Sequence, residues 1–158
     1  MFGRIKSLTV AVAISLTLPT ACAPAPQLKV KAAVVKLSPV DSNPSALYFT
    51  VYGGPSDVQL INVNSPSVLR SEMHQSGIDP KTGAMSMAQL DRVAIPAKGK
   101  VQFRQGGKHV MVWGVNLVAR RLGVMETEFI FNNGDRILVR APVTEMDGTE
   151  PDEQKALN

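Results

Sequence analysis

Cysteine is all but missing from this sequence, Cys22 being the only one in 158 residues. A lone thiol excludes an internal disulfide, a cysteine-rich zinc site and any thiolate ligand in the body of the chain. Aromatic residues are also scarce: one Trp, two Tyr and five Phe. Val, Leu, Ile and Ala must therefore fill most of the core. No segment beyond the first 18 residues sustains the i, i+3, i+4, i+7 spacing of an amphipathic helix, which excludes a helical bundle. Apart from Arg120-Arg121 the cations are scattered singly, without a basic stripe or interleaved aromatics. A nucleic-acid interface would gather them on one face, so no nucleic-acid partner is expected. Histidine occurs only twice, at His74 and His109.

The first residues have the layout of a secretory signal. Arg4 and Lys6 precede an apolar run from Leu8 to Leu18, which is followed by small residues and prolines. That run falls short of the roughly 20 residues of a membrane-spanning helix. "LPTAC" ends on Cys22 and resembles a bacterial lipobox, in which the cysteine becomes the lipidated first residue, with Pro19 standing where the pattern carries Leu. Ordinary cleavage after Ala21 or Ala23 is the alternative, and Pro24 disfavours the latter. The expected organisation is a signal peptide over 1–22 and a tether over 23–27. A single domain spans 28–143, and an acidic, disordered tail spans 144–158. Formal charge is +4. Two of the cations lie in the leader and five acids in the tail, so the domain itself is the more basic part.

The body reads as short strands. "LKVKAAVVKL", "SALYFTVYGG", "DVQLINV", "VLRSEMH", "MSMAQL", "RVAI", "KVQF", "HVMVWGV", "ETEFIFN" and "RILVRAPV" recur about every ten residues, with Gly, Pro, Asn and Asp in the gaps. "NLVARRLGVM" has room for one helical turn. This rhythm predicts an all-β sandwich or barrel.

Residues i and i+2 of a strand share a face. His109 and Met111 therefore point one way, and so do Met85 and Met87. His74, where "VLRSEMH" is expected to enter a loop, adds a second imidazole. Both histidines and four of the seven methionines fall within residues 73–111. Imidazoles and thioethers form a soft, neutral donor set that suits Cu(I) and serves Mg, Ca or Zn poorly. A blue-copper electron-transfer site would need a thiolate, which this body lacks. Methionines at alternate strand positions are also common core filler, and spacing alone leaves the two readings balanced.

The spacing of these residues resembles the PCu(A)C family of copper chaperones, whose hallmark is H(M)-x10-M-x21-H-x-M. Twenty-one residues separate Met87 from His109, and His109-Val110-Met111 supplies H-x-M. The phrases "SALYFTVYGG", "INVNSPSV", "IPAKGKVQFRQGGKHVMVWG" and "FNNGD" extend the resemblance over Leu28 to Val143. One departure stands out: twelve residues, not ten, separate His74 from Met87. A loop insertion within "QSGIDPKTGA" that bulges outward costs only tenths of a kcal/mol in closure entropy, so both ends can stay in place.

The resemblance implies a cupredoxin-like β-sandwich or barrel that binds Cu(I) through His74, Met87, His109 and Met111, with Met85 the reserve ligand. Met73 faces oppositely and is assigned to the core. Trp113 is a candidate shield or rim aromatic, and Met146 a weak additional donor. The implied role is a periplasmic monomer that passes copper to an oxidase subunit or another copper chaperone, without enzymatic activity. Lipidation of Cys22 would anchor it to a membrane. The rival reading is an exported interaction module that uses the same scaffold without metal. A copper redox enzyme would want more histidines than two.

Overall fold

The computed structural model describes residues 26–146. Ten strands and one short helix make up this region, in the order β1 (Lys29–Leu37), β2 (Ser45–Tyr52), β3 (Val58–Asn64), β4 (Arg70–Ile78), β5 (Met85–Gln89), β6 (Val93–Ile95), β7 (Lys100–Phe103), β8 (Lys108–Trp113), α1 (Leu117–Leu122), β9 (Val124–Phe131) and β10 (Arg136–Glu145). The all-β, single-domain architecture expected from the strand rhythm is the one found. Within the described residues, no helix is long and apolar enough to cross a membrane.

The strands join in one curled sheet of order β5-β4-β8-β7-β2-β1-β10-β9-β3-β6, and β8 pairs with β2 as well. Alternation along β2 shows how the core forms. Leu47, Phe49 and Val51 are buried on one face of the pleat. Phe49 stacks on Phe103 of β7 with ring centroids 4.1 Å apart and meets Phe129 of β9 edge-on at 4.6 Å. One aromatic thus joins the two halves of the sheet. Curvature comes in part from β1, where the register shifts between Lys31 and Val34 and Ala32 takes a positive φ of 52°. Such a bulge increases local twist. The Ser71 hydroxyl of β4 donates to the Val63 carbonyl of β3, which ties together regions near opposite ends of the sheet order.

The helix is short for a local reason. Asn116 caps its start by accepting from the Ala119 amide, and Gly123 ends it in the left-handed region at φ 63°. Two boundaries differ from expectation. β10 continues through Glu145, with Leu37 paired to Glu145, so its last two residues come from the stretch assigned to the tail. β4 continues through His74 to Ile78, where a loop was expected. Residues 75–78 stay extended because β5 offers them a ladder, from Gln75↔Ala88 to Ile78↔Met85. The turn needs only residues 79–84. There the Asp79 carboxylate accepts from the amides of Lys81 (2.7 Å) and Thr82 (3.2 Å), and Gly83 supplies a φ of 68°.

Candidate metal centre

β4 lies between β5 and β8, and its register decides which side chains meet. His74 stands directly opposite His109 on one side and Gln89 on the other. Glu72 stands opposite Met111, Arg70 opposite Trp113, and Ser76 opposite Met87. Met111 in turn faces Ala46 of β2. Directly opposed residues share a face of the sheet. Met73, Val110, Val112 and Leu47 point into the core. The alternate positions therefore place His74, His109, Met87 and Met111 together on the reverse face. Met73, 5% exposed, belongs to the core.

The two imidazole rings lie 6.0 Å apart, centroid to centroid, at an interplanar angle of 27°. His109 is 7% exposed, and its Nδ1 lies 3.0 Å from the Gly107 carbonyl oxygen. His74 Nε2 lies 3.2 Å from Glu72 Oε2, while its Nδ1 is buried without any hydrogen-bond partner. A buried ring nitrogen left unpaired is unfavourable by about 1–3 kcal/mol. An electron-pair acceptor at that nitrogen would remove the penalty, so the residues present fit a soft cation.

Met87, His109 and Met111 line one open pocket of about 240 Å³, together with Pro44, Tyr48 and Met146, while His74 shares their face of the sheet beside His109 without lining it. Burial raises the phenol pKa of Tyr48 above its ordinary value, so this wall of the pocket stays neutral at physiological pH. Met146, the last described residue, reaches the same pocket. Met85 does not line it. It lies opposite Ile78 near the hairpin tip and is 72% exposed, against 52% for Met87. The segment between His74 and Met87 is a paired hairpin with its turn confined to residues 79–84, where an outward-bulging loop was expected from the turn-forming residues. Residues 75–78 and 85–88 are paired along the β4–β5 ladder, because paired backbone is better satisfied than a longer open turn. Trp113 shares the site face, and its ring is covered by the Arg70 guanidinium at 4.0 Å. Among the described residues, no group of three or more His, Cys, Asp or Glu comes together to hold a metal. The donors gathered here are imidazole and thioether. Cys22 lies outside the described residues.

Glu72 and Tyr48 were not singled out in the sequence, although both border the site. Glu72 had a usable signal, since it precedes His74 by two residues in a strand and must share its face.

A model of the family described as "Putative lipoprotein LpqE-like" matches residues 28–143. No curated protein matches the chain. Among solved structures, the chain is similar to the copper-bound PCuAC domain from PmoF2, with 17% identity and a TM-score of 0.61 over 78% of this chain and 97% of that one. It is also similar to the apo form of the PmoF2 domain, at 20% identity and a TM-score of 0.57, over 78% of this chain and 94% of that one. Apo-DR1885 from Deinococcus radiodurans shares 19% identity and a TM-score of 0.53, over 90% of this chain and 97% of that one. At these identities the likeness establishes the fold.

Proposed function

Because this chain belongs to the LpqE-like family and has the PCuAC fold, we propose that it is an exported copper chaperone. It holds Cu(I) between His74, Met87, His109 and Met111. The observation that carries this reading is the cross-strand pair His74↔His109, with Met111 and Met87 each one same-face step away. Four neutral donors suit a monovalent soft ion, which needs no balancing thiolate or carboxylate.

Copper is cargo in this reading. An open pocket lined partly by exposed thioether lets an incoming thiolate replace one neutral ligand at a time, so the ion is never released free. The recipient is an oxidase subunit bearing a copper centre, or a further copper carrier. No covalent chemistry on a substrate is required, and no enzymatic activity is expected. The domain acts in the periplasm as a monomer, and a lipid on Cys22 tethers it to a membrane. Loss of radiolabelled lipid on Cys22→Ala would support that tether, whereas an unlabelled wild type would refute it.

Anaerobic titration of the purified exported protein with Cu(I) against a competing chelator tests the central claim. One tightly bound equivalent, lost in the His74→Ala, His109→Ala double variant, supports it. Wild-type binding no tighter than that of the double variant overturns it and favours a metal-free interaction module.

A further inference from the structure

Three alternate rungs of the β4–β8 ladder, which share the face of the donor set, carry an unbroken chain of side-chain contacts. Trp113 faces Arg70, Met111 faces Glu72, and His109 faces His74. The Arg70 guanidinium lies over the Trp113 ring, 4.0 Å from its centroid, a geometry favoured by the ring quadrupole. Arg70 Nε lies 3.4 Å from Glu72 Oε1, and His74 Nε2 lies 3.2 Å from Glu72 Oε2. Each carboxylate oxygen therefore has its own partner.

A carboxylate in this position can only accept, so His74 Nε2 must carry the proton that it shares with Glu72. A neutral ring then has its lone pair on Nδ1, which is the buried nitrogen without a partner. At His109 the opposite holds. A carbonyl can only accept, so Nδ1–H donates to Gly107 and Nε2 keeps the lone pair.

We propose that Glu72, itself held by Arg70 on Trp113, is a positioning residue that locks His74 in the Nε2–H form. The metal is then taken through Nδ1 of His74 and Nε2 of His109. The assignment of the donor nitrogens rests on the copper reading, while the lock belongs to the metal-free protein. A second consequence concerns selectivity. With both oxygens engaged, Glu72 is not offered as a hard ligand, and the donor set stays soft although a carboxylate stands beside it.

Long-range proton–nitrogen NMR of the full exported chain, labelled with ¹⁵N in histidine, reads these states directly. In the metal-free wild type, His74 should show a protonated Nε2 and a bare Nδ1, and His109 the reverse. Glu72→Leu should give a mixture of His74 tautomers, while Glu72→Gln, whose amide oxygen still accepts, should restore the wild-type form. Adding Cu(I) should move His74 Nδ1 and His109 Nε2. Affinity for Cu(I) should fall about 10-fold or more in Glu72→Leu, the range for partners that orient metal ligands, and stay near wild type in Glu72→Gln.

A metal-free wild type with His74 protonated on Nδ1 overturns the proposal, and that spectrum decides even if Glu72→Leu does not fold. An unchanged tautomer in folded Glu72→Leu overturns it too. The expected tautomers with neither ring moved by Cu(I) would support the lock and count against the copper reading instead.

Discussion

Met85 and Met87 share a face of β5, and residue position separates them. Met87 stands opposite Ser76, one same-face step from His74, whereas Met85 stands opposite Ile78, a step further away. Met87 also lines the pocket shared with His109 and Met111, whereas Met85 lies outside it. Met87→Leu should therefore weaken Cu(I) binding about 10-fold or more, comparable to loss of a metal-site partner, with Met85→Leu close to wild type. Chelator competition on the two single variants gives the order directly, and a larger loss at Met85 would reverse the assignment. Met146 lines the pocket without belonging to the motif. Met146→Leu should leave one equivalent bound and produce a loss smaller than that at Met87 in the same assay.

At the scale of elements, the β4–β5 hairpin is where sequence and structure diverge most. Gly77, Pro80 and Gly83 all look like loop residues, yet Gly77 is paired within the ladder opposite Ser86. Strand pairing overrode local preference because β5 supplied partners that a short sequence window cannot contain. The i, i+2 pairs were legible, since they depend on pleat alone. The His74↔His109 contact was not, because it depends on register between strands far apart in the chain. Glu72, an i, i+2 neighbour of His74, was legible in the same way as the other same-face pairs, whereas its place opposite Met111 was not. Gly83→Ala tests the turn separately from the site. At φ 68° an added Cβ meets open space but an unfavourable backbone region, costing about 1–2 kcal/mol. Urea denaturation should register that loss while the Cu(I) affinity stays constant.

Across the whole molecule, the core and the site use opposite faces of the same strands. In β8, Val110 and Val112 are buried on the core side, while His109 and Met111 stand on the other. The all-β class was legible because strand rhythm and turn residues recur throughout the chain, whereas the curl and its tie between β3 and β4 depend on contacts no local pattern encodes. Phe49→Ala should cost about 3–5 kcal/mol, the range for a fully buried aromatic, because it removes contacts with Phe103 and Phe129 together. Its midpoint in urea should fall steeply. Copper should partly restore it, since a ligand bound only to the folded form adds to stability.

The position of β5 has a further consequence. His74 and His109 ride on interior strands held from both sides, whereas β5 is an edge, paired only to β4. The proposed site thus has an anchored back, made of His74, His109 and Met111, and a hinged front, made of Met87. Fraying of one hairpin ladder would withdraw a thioether while leaving the nitrogens in place. Under the proposed copper-carrying role, release would start on the β5 side, with the Met87 thioether leaving before the ligands on β4 and β8, Met111 among them.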